Sequence, residues 1–312
     1  MLFCKFTSFH DDDSSCRSFR PPVLTYKPTP QLTHLPTPSS RAARFWTTVM
    51  YHNLVGIPIP SVKKGAEVLL YQYKICPFCN SVKALLHHQN IPYSSVEVNP
   101  LTKSQLGWSK EYKKVPVAVF QDGEVVNDSA QIMDAVLARS NGGGDANASF
   151  AGPEAMRWSS WAKDSLAVNM YPNMTRSFAE CRDTLAYFSD TPGISPLDAL
   201  LVQTVGALGM SFAHGKIKQK YGIEDERAAL AARLDEWVAE LASSSSSGSD
   251  KRGGAFRGGS DAPDVGDLSV YGVLNCARDV PLFEDIASHG DGRLKAWIDE
   301  MDRAVPAPRV VP

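Results

Sequence analysis

Glu67-Val-Leu-Leu-Tyr-Gln-Tyr-Lys-Ile-Cys-Pro-Phe-Cys-Asn80 changes character half-way along. Glu67 to Tyr73 is a strand-like run, whereas Pro77 fixes a backbone angle suited to the first turn of a helix. Beyond it Val82, Leu85 and Leu86 recur at helical spacing, so the stretch predicts strand, turn and helix in that order. Tyr93 to Val98 supplies a second strand, which after a crossover helix lies parallel to the first in a right-handed unit. A polar stretch around Gln105 is read as helical. A strand at Val117 to Gln121, a turn at Asp122-Gly123, a short strand at Val125-Val126 and a helix from about Ser129 to Arg139 follow. The expected order is β-α-β-α-β-β-α.

Outside this unit the 312 residues divide by composition. Residues 1–62 hold eight prolines and six basic against three acidic residues without a core-forming period, and are expected to be a leader. Arg17, Arg20, Arg41 and Arg44 among hydroxyl residues suit an organelle transit segment for mitochondrion or plastid; Asp11, Asp12 and Asp13 do not, and an unaddressed cytoplasmic tail is the alternative. No uninterrupted apolar core of a secretory signal stands near the start, so the sequons at Asn127, Asn147 and Asn173 are taken as chance matches. Phe45 to Pro60 carries no charge but contains Asn53, Gly56, Pro58 and Pro60, which suits packing or peripheral membrane contact rather than spanning. The folded domain is expected over 63–141, a glycine-rich linker over 142–153, and an all-helical domain over 154–312 with a low-complexity loop at 243–262, too polar and flexible to pack. Leu197 to Ala213, the most apolar region, reads as a buried amphipathic helix, and no membrane-spanning helix is expected. Asp264 with Asp267 predicts a helix cap before Leu268, Val270 and Leu274. A net charge of −2 argues against nucleic acid as a partner.

Six cysteines in so long a chain do not make a disulfide framework, but Cys76 and Cys79 form one Cys-x-x-Cys after a strand and at a helix start. There the helix dipole and free amides, with Lys74 close by, favour a thiolate on Cys76, and Cys79 one turn later can form or resolve a disulfide. Two ordinary cysteines are the bland alternative. Zinc would need four ligands; His87 and His88 diverge on the helix and are read as a solvated face, so no metal site is expected. Val115-Pro116 enters the next strand; resemblance to thioredoxin-like folds implies a cis bond there, offering the Val115 amide and carbonyl to an extended peptide, and a proline that merely starts an edge strand is the alternative. Asp128 and Ser129 at a helix start can accept from an ammonium and bind a carboxylate, or can simply cap the helix. Trp158, Trp161 and Tyr171 are candidates for an apolar cleft, although such aromatics are more often helix-packing core.

Residues 67–140 resemble a glutaredoxin of thioredoxin-like fold, and with the helical domain behind them a glutathione transferase. Leu70-Tyr-Gln-Tyr-Lys-Ile-Cys-Pro-Phe-Cys79, Tyr112-Lys-Lys-Val-Pro116, Asn127-Asp-Ser129, Trp158-Ser-Ser-Trp161 and Asp267-Leu-Ser-Val-Tyr-Gly272 are similar to the membrane-associated prostaglandin E synthase type 2 family, over about 67–304. The resemblance implies an α/β thioredoxin-like domain followed by an all-α transferase-like domain. It implies catalysis by Cys76 with Tyr73, Phe78 beside them, and glutathione held by Val115, Asp128 and Ser129. It further implies haem bound together with glutathione, a lipid peroxide substrate and a homodimer. The leader lacks the hydrophobic segment of the family's animal members, and the loop at 243–262 is longer. The function implied is isomerisation of the endoperoxide of prostaglandin H2. A glutathione-dependent thiol-disulfide oxidoreductase that also uses Cys79, and a non-catalytic haem- or glutathione-binding protein, are the alternatives.

Overall fold

A computed structural model describes residues 58–110, 112–140, 150–243 and 254–312. Strands β1 (Val68–Gln72), β2 (Tyr93–Glu97), β3 (Val117–Phe120) and β4 (Val125–Asn127) form one sheet in the order β2-β1-β3-β4. β1 runs parallel to β2, with Leu70 opposite Ser95, and antiparallel to β3, with Leu70 opposite Ala118. Side chains alternate across the sheet, so Val68 and Leu70 join one core while Leu69 and Tyr71 join another on the opposite face. Helices α1 (Pro77–His88) and α2 (Ser129–Ser140) cover the first face through Val82, Leu85, Leu86, Ile132 and Val136. On the second face the described cover is the first turn of α1, through Phe78 and Cys79, and loop residues. The segment expected to be helical around Gln105 is a single 3-10 turn, Ser104–Leu106, and Leu106, Trp108 and Tyr112 cover the sheet together with Ile59 and Val62.

The helical part comprises α3 (Pro153–Trp161), α4 (Ala167–Asn173), α5 (Phe178–Thr184), α6 (Pro196–Leu201), α7 (Ala207–Tyr221), α8 (Glu226–Ser243), α9 (Val265–Asn275), α10 (Leu282–Ala287) and α11 (Arg293–Ala304). Single π-helical turns join α3 to α4 and α6 to α7. The expected cap of α9 is present: the Asp264 carboxylate accepts from the amides of Gly266 (2.8 Å) and Asp267 (3.0 Å), and Asp267 accepts from the amide of Asp264 (3.1 Å).

Three expectations need correction. α6 and α7 form one continuous helix, Pro196–Tyr221, long and apolar enough by composition to cross a membrane, and it is not the buried helix expected of Leu197 to Ala213. Val202, Ala207 and Met210 face the core, whereas Leu197, Val205, Leu208 and Phe212 (79% exposed) face outward. The loop at 243–262 packs at its described end: Phe256 is buried, and Arg257 binds Asp264 (2.9 Å) and Glu240 (3.4 Å). His87 and His88 are not a solvated face. They are half-buried, one stacked on Tyr93 (5.6 Å) and the other on Phe150 (5.4 Å). Residues 1–57, most of the linker and 244–253 lie outside the described residues.

α9 crosses α1 at Gly272. A Cβ there would stand 2.4 Å from Ser81 Cα and 2.5 Å from Ser81 N, inside backbone that cannot swing away. Ser81 Oγ donates to the Ser269 carbonyl (3.1 Å), and Ser159 Oγ of α3 lies 2.7 Å from Ser269 Oγ, which stitches three helices at one point. Gly272→Ala is therefore expected to cost about 2–3 kcal/mol by overpacking. Gly215→Ala in α7, where nothing lies within 4 Å of the added carbon, is expected to be neutral or to gain about 0.5–1 kcal/mol. Denaturant unfolding of both variants checks the pair; equal stabilities would show that the crossing has slack.

Candidate active site

Cys76 is the N-cap of α1, with extended backbone, and Pro77 opens the first turn. The loop leading to it is fixed from several sides. The Cys76 amide donates to the Tyr73 carbonyl (3.0 Å), and the Asn80 side-chain amide donates to the carbonyls of Lys74 (2.7 Å) and Cys76 (2.9 Å). Glu97, at the end of β2, accepts from the Lys74 amide (2.8 Å), the Gln72 side chain (3.1 Å) and the Tyr187 hydroxyl (2.6 Å). One carboxylate thus ties the cysteine loop to the sheet and to the turn after α5. Burial pushes the Glu97 carboxyl up, against the pull of the Tyr187 hydroxyl, the Lys74 amide, Lys83 and Gln72.

Cys76 and Cys79 are both buried and carry free thiols. Burial pushes the Cys76 thiol up, but a hydrogen bond from the Cys79 thiol, the amides of Cys79 and Phe78 and the charge of Lys83 more than offset it, leaving Cys76 below the ordinary thiol value. Cys79 moves the opposite way, well above that value, through burial and then through Cys76 itself. Of the pair, Cys76 is thus the thiol that ionises more readily and Cys79 the one that donates to it. Lys74, expected to support the thiolate, turns outward to Asp279 (2.7 Å); the cation acting on the cysteines is Lys83.

The Val115-Pro116 peptide is cis, as expected. Val115 packs in one apolar cluster with Cys76 and Cys79, and Tyr73 and Phe78 lie against that cluster. Phe78 also faces Ser129 across a small cavity of about 70 Å³ between α1, α2, α3 and α9. Asp128 holds a left-handed backbone (φ 75°), and its carboxylate caps α2 by accepting from the Ala130 amide (3.0 Å). The plain-cap role is thus real, and it occupies one carboxylate oxygen. Trp158 and Trp161 pack with each other (4.9 Å) and with Trp237 (5.2 and 6.4 Å), Trp158 in the core and Trp161 half-buried against it. Tyr171 donates to the Met210 carbonyl (3.0 Å) beneath α7. Sequence reasoning passed over Asn80, Lys83, Glu97 and Tyr187. Asn80 and Lys83 were accessible from helical spacing after Cys76, but the Glu97-Tyr187 bond joins residues 90 positions apart and leaves no local signal.

For haem, the histidine and the other buried thiol near this site add no donor: His87 Nε2 lies 2.9 Å from the Tyr93 hydroxyl, and the Cys276 thiol faces the Met174 sulfur (3.8 Å).

Residues 70–144 match the family described as glutathione S-transferase, N-terminal domain. Prostaglandin E synthase 2 of Mus musculus is 29% identical over 288 residues, covering 78% of this chain and 72% of the relative. The protein of the same name from Danio rerio is 28% identical over 280 residues, covering 76% and 71%. Among solved structures, a glutathione transferase from Phanerochaete chrysosporium superposes with a TM-score of 0.51 at 13% identity, covering 79% of this chain and 99% of that one, which shows a shared fold. The molecule is thus a thioredoxin-like α/β unit carrying an all-α part in a glutathione transferase-like fold, and over about three quarters of its length the chain is similar in sequence to the proteins named prostaglandin E synthase 2.

Proposed function

We propose that this chain is a glutathione-binding enzyme that isomerises the endoperoxide of prostaglandin H2 to the E form through the Cys76 thiolate. The observation that carries the reading is the split between a lowered Cys76 and a raised Cys79 at a helix N-terminus, in one cluster with the residue preceding a cis proline. Thiolate attack on the C9 oxygen forms an S–O bond and breaks the O–O bond, releasing the C11 oxygen as an alkoxide that takes up a proton. Loss of the C9 hydrogen as a proton then forms the C9 carbonyl and expels the thiolate, so no net electrons are consumed. Tyr73, three residues before Cys76, serves as the hydrogen-bond donor to thiolate or alkoxide. Glutathione sits with its cysteinyl part on Val115 and Pro116, beside Phe78, and its γ-glutamyl end on Asp128 and Ser129 at the start of α2.

A second reading, thiol-disulfide exchange with glutathione, is favoured by the Cys79 thiol bonded to Cys76. There Cys76 attacks the disulfide, Cys79 displaces the mixed disulfide, and two glutathione thiols reduce the pair.

We further propose the division into a leader (1–62), whose last residues Ile59 and Val62 pack on the sheet, a thioredoxin-like domain (63–141), a linker (142–153) and a helical domain (154–312), with homodimeric assembly and organelle targeting by the leader. A fluorescent reporter fused to residues 1–62 is expected in mitochondria or plastids; a diffuse reporter would remove the address.

Titration of thiolate absorbance should give a Cys76 midpoint clearly below the free-thiol value of about 8.5, lost in Cys76→Ser. Because the folded-state value is lowered, alkylation should set in at lower pH than for a free thiol, and a midpoint at or above it would contradict the mechanism. Cys79→Ser is expected to abolish dithiol exchange while leaving endoperoxide turnover within about tenfold of the parent, and Cys76→Ser to abolish both. Asp128→Asn keeps an oxygen for the Ala130 amide but removes the charge, so calorimetry should show glutathione affinity reduced by about tenfold or more at unchanged thermal stability.

A further inference from the structure

A cavity of about 860 Å³ lies along one face of α1. Cys76, Asn80, Lys83 and His87 follow at intervals of four, three and four residues and so share that face, and Asn80, Lys83 and His87 line the cavity below Cys76. The other wall comes from the helical part and the chain's end, through Tyr187, Tyr271, Val280 and Val305, and Ile75 stands at the top. The lining is mostly apolar, yet charged groups enter it, and of its lysines and arginine all but one are paired. Lys74 binds Asp279 (2.7 Å), Arg278 binds Asp302 (2.6 Å), and the exposed Asp183 and Asp190 stand in water at the rim. Lys83 is half-buried, and among the described residues no carboxylate lies within ion-pair reach of its ammonium. Burial pushes its pKa down, while Cys79, Glu97 and Cys76 pull it up from a distance. An ammonium desolvated without a contact partner favours an incoming anion.

We propose that Lys83 anchors a long-chain monocarboxylate in this cavity, its carboxylate on the Lys83 ammonium and its hydrocarbon against Ile75, Tyr187, Tyr271, Val280 and Val305. One unpaired cation balances one negative charge; a phosphate dianion would meet the surrounding aspartates with a charge uncompensated. Seven residues of helix separate Lys83 from Cys76, about 10 Å along the axis, so the group presented to the thiolate lies several carbons from the carboxylate. The assignment rests on the reading that Cys76 acts on a lipid, and it adds the residue that orients that lipid.

The test uses the full-length chain with oleate, its methyl ester and dodecyl phosphate as probes, followed by calorimetry, and glutathione titrated separately. Oleate should bind the parent protein, and the methyl ester at least about tenfold more weakly. Lys83→Met should lose that difference by weakening oleate alone, Lys83→Arg should keep it, and Cys76→Ser should bind oleate as the parent does. Failure of oleate to bind, equal binding of acid and ester by the parent, or tighter Lys83-dependent binding of dodecyl phosphate would each overturn the carboxylate anchor. The ester comparison uses unmodified protein, so a misfolded Lys83 variant cannot rescue the proposal. Oleate binding without endoperoxide turnover would sink the isomerase reading and leave the anchor; turnover with no Lys83 dependence would do the reverse.

Discussion

The crossing of α1 and α9 at Gly272 is the contact on which the site depends. Helix axes normally stay 8–10 Å apart because side chains separate them, and closer approach requires a residue without a Cβ. With Gly272 against the backbone of Ser81, α1 is clamped by α9 immediately behind its first turn. Cys76 and Cys79 occupy that first turn, so the position of the thiols relative to the sheet and to α3 is set by a helix almost 200 residues further along the chain. The Asp264 capping box, with Trp297 Nε1 donating to Asp267 (2.9 Å), holds the start of the same helix. Features that look purely structural in α9 are therefore part of how the thiolate is placed.

Burial alone would make both cysteines inert. The asymmetry between them arises because a helix N-terminus offers its donors to the residue at the cap and not to the residue one turn in. Cys76 receives the amides of Phe78 and Cys79; Cys79, already inside the helix, gains burial and a negative neighbour. Glu97 contributes without touching either sulfur, since its bonds to the Lys74 amide and to Tyr187 hold the loop that presents Cys76. Reactive-thiol chemistry here is a property of backbone geometry at one turn, and the side chains around it keep that geometry in place.

The strand, the Cys-Pro turn, the helix and the α9 cap were legible in sequence because each is a local rule: period, a proline at a first turn, an acid pair three residues apart. The errors share a physical origin. Hydropathy reports composition, not which partner a helix has, so the stretch from Leu197 to Phe212 read as core although half of it faces outward. The polar residues around Gln105 suggested a helix, but the outer face of the sheet is covered by loop side chains and by Ile59 and Val62, and one 3-10 turn suffices. Adjacent histidines diverge on a helix, yet His87 met the ring of Tyr93 at the start of the next strand and His88 that of Phe150 from a distant segment. Lys74 stands closer to Cys76 in sequence than Lys83 does, but seven residues along a helix returns to the same face and two residues along a loop does not.

The end of the chain shows how one segment can serve both sheet and site. The Tyr93 amide donates to the Arg309 carbonyl (3.0 Å) and the Val311 amide to the Tyr93 carbonyl (2.8 Å), so the tail pairs with β2 and covers an edge that would otherwise be open. To arrive there from α11 the tail passes Val305 to Pro308, which wall the cavity beside α1. Pro306 and Pro308 have no amide hydrogen to satisfy, so this stretch can border an apolar cavity without leaving donors unpaired. The cavity therefore exists because the last residues of the helical part return to the first sheet, and its shape is coupled to the same β2 whose far end carries Glu97 and fixes the cysteine loop.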